Sequence, residues 1–223
     1  MKRIETRFAA LKREGRKAFI AYLTAGDPDL ETTSRLIPGL EAAGVDVVEV
    51  GIPFSDPTAD GPAIQAASQR ALAKGATPGK ILAMVAEVRR RSAIPIVLFG
   101  YFNPILSYGP ERFAADAAAA GADGLLVVDL PPEEAGELRR YTDPAGLAFI
   151  TLVAPTTDPA RARKILRGAA GFVYYISITG VTGTAVPKPE DIHQDVERLR
   201  GLTRLPVAVG FGISTPAQAA AIA

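Results

Sequence analysis

Short apolar runs and amphipathic stretches alternate along almost the whole chain. Residues 4–14 place Ile4, Phe8 and Leu11 on one stripe at helical spacing, and Gly15 ends that helix. Residues 18–23 (AFIAYL) are nearly continuously apolar, the pattern of a strand buried on both faces. Thr24, Ala25 and Gly26 turn the chain, Asp27 and Pro28 open a helix, and residues 30–43 fill it. A β-branched strand follows at 45–50, then a long loop, then helices at 63–73 and 77–91 parted by Gly75. Beyond this point the pattern repeats. Strands are predicted at 95–101, 124–128, 147–153, 172–176 and 206–209. Helices are predicted at 110–120, 133–141, 158–166 and 190–199, and a last one after Ser214 or Thr215 with Pro216 near its start. Strand–helix units with buried, unpatterned strands mean a parallel α/β sheet.

Seven strands would suit a doubly wound sheet, but the loops argue otherwise. Polar or glycine-rich segments stand at 24–28, 52–62, 103–104, 129–132, 154–157, 180–183 and 210–214, each after a strand. Chemistry spread around every strand's C-terminal end is the habit of the eight-stranded barrel. The expected fold is therefore a (β/α)8 TIM barrel, a single domain over residues 1–223. Within these residues the pattern stops one strand and one helix short of the full count.

Composition narrows the functions. The 223 residues are 48% hydrophobic and 22% charged, ordinary for a globular protein with a sizeable core. Basic and acidic residues nearly cancel, 25 against 24, with no basic stripe, which speaks against nucleic acid as a partner. With no cysteine, thiolate metal sites and cysteine nucleophiles are excluded, and a cytoplasmic setting is expected. No stretch reads as a membrane span or signal peptide. The single histidine, His193, sits in a polar helical run and is expected at the surface.

The most informative stretch is 45–65, VDVVEVGIPFSDPTADGPAIQ. Alternation puts Val45, Val47 and Glu49 on one strand face. Glu49 could be a solvated rim acid or the partner of an arginine. The following loop shifts the balance: it exceeds the usual ~2–6 residues, Pro53, Pro57 and Pro62 stiffen it, and it carries a second acid, Asp60. Two carboxylates held at one strand end are equipment for proton transfer. Further on, Gly180-Val181-Thr182-Gly183 and Gly210-Phe211-Gly212 offer backbone N–H groups to an anion.

EVGIPFSDPTADGPAIQ, GYFNPIL, DLPPEEA, YYISITGVTG and VAVGFGIS resemble, in that order, the signatures of the tryptophan synthase alpha subunit. The resemblance implies a (β/α)8 barrel that cleaves indole-3-glycerol phosphate to indole and glyceraldehyde 3-phosphate without a cofactor or metal. It also implies an alpha2beta2 complex in which indole passes to a beta subunit. By the resemblance Glu49 is the general acid/base, Asp60 receives the indole N–H, and Tyr174 is the active-site tyrosine, with Tyr175 beside it facing the helices. Desolvation at a valine-lined strand end would keep Glu49 protonated, while a looser, more solvated loop would leave Asp60 ionised. Tyr22, Phe99, Tyr101, Leu126, Val128 and Phe211 would line an indole slot, although core filling explains any one of them equally well. Thr182 would close over the substrate, and Gly183 and Gly212 would bind its phosphate. Pro53, Asp56, Pro57 and Asn103 would face the partner. Thr58 and Ile178 depart from the family's usual residues, and its last phosphate-binding Gly-Ser turn is not found. A rival expectation is a catalytically impaired scaffold that only binds and activates the beta subunit. An isomerase of histidine biosynthesis fits poorly, because the strands ending at Leu23 and Val153 carry no aspartate there.

Overall fold

The structure, a computed structural model, describes residues 2–177, 189–210 and 215–223. The chain forms two compact units, Met1–Phe149 and Ile150–Ala223. The first contains α1 (Arg3–Glu14), β1 (Ile20–Thr24), α2 (Leu30–Ala42), β2 (Val47–Gly51), α3 (Pro62–Ala73) and α4 (Pro78–Arg89). It continues with β3 (Ile96–Gly100), α5 (Phe102–Tyr108), α6 (Pro110–Ala120), β4 (Gly124–Val127), α7 (Gly136–Thr142) and β5 (Ala148–Phe149). These strands form a sheet in the order β1-β2-β3-β4-β5, parallel throughout. The second unit contains β6 (Thr151–Val153), α8 (Pro159–Leu166), β7 (Val173–Ile176), α9 (Pro189–Arg200), β8 (Val207–Gly210) and α10 (Pro216–Ile222). Its sheet runs β6-β7-β8, again parallel.

Each predicted strand is present, with one division. The predicted fifth strand appears as β5 and β6 on either side of Ile150, one half pairing with β4 and the other with β7. The helices begin where capping chemistry allows. Asp29, Thr77, Asp158 and Thr215 each accept a backbone N–H from three residues on, and Thr215 forms a full capping box with Gln218. Two local expectations are corrected. Residues 103–104 are not a bare loop but part of α5, because Pro104 falls in the helix's first turn, where its missing N–H costs nothing. Val45 does not share the Glu49 face. Its N–H closes the end of α2 on Leu40 O (3.0 Å), and its side chain packs with the helix-side core.

That core explains the continuous apolar strands. Val48, Val50, Ile96, Leu98, Leu125 and Val127 pack with Ile81, Val85 and Val88 of α4 and Phe113 and Ala117 of α6. The alternate residues Val47, Glu49, Val97, Phe99 and Leu126 are buried on the opposite face of the same strands. In the second unit Val153, Val173 and Tyr175 pack with Ala162, Ile165, Ile192 and Leu199. His193 is exposed on α9, as expected. Among the described residues no helix is long and apolar enough to cross a membrane.

Charge is buried where strands begin. Asp123, just before β4, accepts from Arg3 Nη1 (2.9 Å), Arg89 Nη2 (2.6 Å) and the Ile96 N–H (2.9 Å). Asp46, just before β2, accepts from Arg7 Nε (2.9 Å) and the Phe19 N–H (2.7 Å). These bonds fasten α1 and α4 to the sheet. Removing one partner leaves the other charge buried and uncompensated. Asp123→Ala is therefore expected to lower stability to urea by about 3 kcal/mol, whereas Glu31→Ala, which cuts an exposed ion pair with Arg35, should cost less than about 1 kcal/mol.

Candidate active site

Parallel register in the first unit sets side chains in rows across the sheet. Tyr22 on β1 is the partner of Glu49 on β2, Glu49 of Val97 on β3, and Val97 of Gly124 on β4. Two residues nearer the strands' C-terminal ends, the next row on that face is Thr24, Gly51, Phe99 and Leu126. Glu49 thus lies in the lower row with a large aromatic on one side and a valine on the other.

The Glu49 side chain is buried, its residue only 4% exposed, and its Oε1 has no hydrogen-bond partner among the described residues. Neither the solvated-rim nor the arginine-paired reading holds, since the acid is buried and has no ion pair among the described residues. Burial is what lifts its carboxyl, from an ordinary 4.5 to about 7, because the ionised form has lost its water and gained nothing in return.

Gly51 is a residue the sequence reading passed over. A Cβ on it would come within 2.6 Å of the Tyr22 Cζ, so only glycine lets the phenol lie there. The Tyr22 ring meets Phe99 edge to face with centroids 5.3 Å apart, and its hydroxyl lies 3.4 Å from Thr24 Oγ1. Burial pushes the phenol up to about 12, and the nearby Asp60 and Glu49 carboxyls add to it. The signal for Gly51 was a lone glycine closing an apolar strand, which marks a close approach by another group.

Asp60 arrives on the loop between β2 and α3, and Tyr101 fixes it. The Tyr101 hydroxyl accepts from the Ala59 N–H at 2.9 Å and hydrogen-bonds the Asp60 carboxylate. Its ring packs against Phe54, centroids 5.3 Å apart. Asp60 is half-buried, less solvated than its loop position suggested. Burial raises its carboxyl above the ordinary value, and the Tyr101 bond offsets part of that rise.

The remaining expected residues fall into three groups. Leu126 is fully buried in the Phe99 row, and Val128, half-buried, stands one residue beyond β4. Tyr174 stands half-buried on β7 in the second unit, where a Cβ on Gly210 would lie within 2.5 Å of its ring Cε1. The same device, an aromatic lying across a glycine of the next strand, therefore occurs in both units. Tyr175 turns to the helix side and bonds Asp195, as expected. Thr182, Gly183, Phe211 and Gly212 lie outside the described residues. Of the residues expected to face a partner, Asp56 and Asn103 are exposed, Pro57 is half-buried and Pro53 is buried. Among the described residues no group of three or more His, Cys, Asp or Glu could hold a metal ion.

The family profile described as tryptophan synthase alpha chain matches residues 8–223. The chain belongs to the tryptophan synthase alpha family. The tryptophan synthase alpha chain of Geotalea daltonii is 56% identical over 223 residues, 100% of this chain and 84% of that protein. Among solved structures, subunit alpha from Legionella pneumophila str. Paris superposes with a TM-score of 0.90 at 43% identity, covering 100% of this chain and 82% of that one. A chain of the tryptophan synthase a2b2 complex of Pyrococcus furiosus does so with a TM-score of 0.84 at 40% identity, covering 92% of this chain and 82% of that one. The fold class is accordingly the family's (β/α)8 barrel, as the sequence led one to expect.

The isolation of Glu49 has a thermodynamic signature. Its folded-state pKa is raised from 4.5 to about 7, so ionisation is harder in the folded chain than in the unfolded one. The destabilisation is absent below about pH 4.5, grows as pH rises and is complete above about pH 7. It amounts to about 3 kcal/mol. Glu49→Gln should therefore gain about 2–3 kcal/mol of urea stability on going from pH 4 to pH 8, relative to the parent chain.

Proposed function

We propose that this chain, as the alpha subunit of tryptophan synthase, cleaves indole-3-glycerol phosphate to indole and glyceraldehyde 3-phosphate in tryptophan biosynthesis. The observation that carries the chemistry is the buried Glu49 carboxyl, its Oε1 without a partner among the described residues, together with a half-buried second acid, Asp60, that shares Tyr22 as a neighbour. Cleavage requires a proton on C3 of the indole ring. An acid that keeps its proton to about pH 7 can deliver it, and Glu49 takes that role. Protonation at C3 leaves positive charge on the ring nitrogen. The Asp60 carboxylate accepts the N–H hydrogen bond and stabilises that charge. The C3–C3′ bond then breaks, its electron pair returns to the ring to give indole, and the hydroxyl on C3′ passes its proton to the Glu49 carboxylate, now the base, as the aldehyde forms.

Tyr22, Phe99, Tyr101, Leu126 and Val128, with Phe211, form the slot for the ring in this reading. Tyr174 takes the part of the family's active-site tyrosine. Thr182 closes over the substrate, and Gly183 and Gly212 take the phosphate. The whole chain acts as one barrel domain, a reading supported by a family match that spans both units. Its partner is the beta subunit in an alpha2beta2 complex, the assembly named for the Pyrococcus furiosus relative. Asp56, Pro57 and Asn103 reach that partner, while buried Pro53 shapes the loop that carries Asp56. As a biosynthetic enzyme of this kind it works in the cytoplasm.

The deciding measurement is indole release from indole-3-glycerol phosphate, with and without added beta subunit. Glu49→Gln should lower kcat by about 100-fold to 10,000-fold. The parent's kcat/KM should decline as pH rises through about 7, where Glu49 loses its proton. Equal rates for the two chains would remove Glu49 from the mechanism.

A further inference from the structure

The proposed proton transfer needs a Glu49 that water does not reach, yet no hydrogen bond holds its Oε1 among the described residues. What surrounds it is packing. Tyr22 begins in the Glu49 row, and its ring rises into the next row over the position that Gly51 leaves empty. There it meets Phe99 of β3 edge to face, 5.3 Å between centroids, so two rings from the flanking strands close over β2. Val97 fills the other side of Glu49 within its own row. The Tyr22 hydroxyl is directed to Thr24 Oγ1, 3.4 Å away, and leaves Glu49 Oε1 without a partner. The contribution of Tyr22 is thus its aromatic surface and not its O–H.

We infer that the Tyr22 ring, admitted by Gly51 and braced by Phe99, is a wall that keeps bulk water off the Glu49 carboxyl, a part it plays for the proton transfer in addition to lining the slot for the ring. Its catalytic consequence rests on the lyase reading, whereas the wall is a property of the chain alone. The titratable groups that face this carboxyl among the described residues are few. Tyr22 of β1 interacts with it and also with Asp60 on the loop after β2, which in turn meets Tyr101 just beyond β3. The strands beyond contribute only Val97, Phe99, Gly124 and Leu126. With no cation among these groups, exclusion of water governs the carboxyl's proton affinity.

The test is a carboxyl NMR titration of the chain labelled with 13C at glutamate Cδ, the Glu49 signal being the one lost in Glu49→Gln. The midpoint should lie near 7 in the parent and stay there in Tyr22→Phe, which keeps the ring. It should fall by about one unit or more in Tyr22→Ala, where water replaces the ring. Gly51→Ala, which forces the phenol aside with its chemistry intact, should shift it in the same direction and guards against a misfolded Tyr22→Ala chain. The high-pH limb of kcat/KM for indole release should move with the NMR midpoint. A midpoint unmoved in both Tyr22→Ala and Gly51→Ala overturns the inference. So does one that falls as far in Tyr22→Phe as in Tyr22→Ala, since the hydroxyl would then be the cause. A midpoint that falls while the rate profile stays fixed upholds the wall and instead overturns Glu49 as the acid.

Discussion

A carboxyl buried from water, with one oxygen unpartnered among the described residues, is the constraint on which this site depends. An isolated ionised carboxylate in an apolar interior is too costly to keep, and proton uptake is the chain's release from that cost. Glu49 therefore differs in kind from the chain's other buried acids. Its neighbours supply surface: Tyr22 and Val97 in its own row, with Phe99 and the bare Gly51 in the next. None supplies a charge of opposite sign.

The two ends of the strands handle charge in opposite ways. Where β2 and β4 begin, Asp46 and Asp123 are saturated by Arg7, Arg3, Arg89 and backbone N–H groups, and they tie α1 and α4 to the sheet. Three residues beyond Asp46, within β2, Glu49 has none of this support among the described residues. Paired acids anchor the fold at one end, and an unpaired acid is kept reactive at the other. The division follows the general arrangement of barrel enzymes, with stability built at the strand starts and chemistry at the strand ends.

Much of this was legible in the sequence, and what was missed has a physical cause. Unpatterned apolar runs revealed the parallel strands because burial on both faces erases alternation, as in Val47–Gly51 and Ile96–Gly100. Glu49 and Asp60 stood out because acids at a strand end and on a proline-stiffened loop need a reason. The pairing of Gly51 with Tyr22 was not legible, since it depends on which residue of β1 stands opposite which of β2, and register is a tertiary fact. α5 was hidden by Pro104, which reads as a breaker unless its place in the first turn is known. Val45 was assigned to the strand because β-branching cannot reveal that its N–H is already committed to the end of α2. The partial burial of Asp60 was missed for a similar reason: a loop's polarity says nothing about the aromatic residue that covers it.

Tyr101 gives that last point a wider consequence. One phenolic oxygen, on a residue just beyond the rigid β3, receives the Ala59 amide and also bonds the neighbouring carboxylate. The spatial coordinates of Asp60 are thus inherited from the sheet and owe little to the ten-residue excursion that delivers it. Precision of placement, usually the weakness of an acid carried on a long connection, is borrowed here from the stiffest part of the molecule.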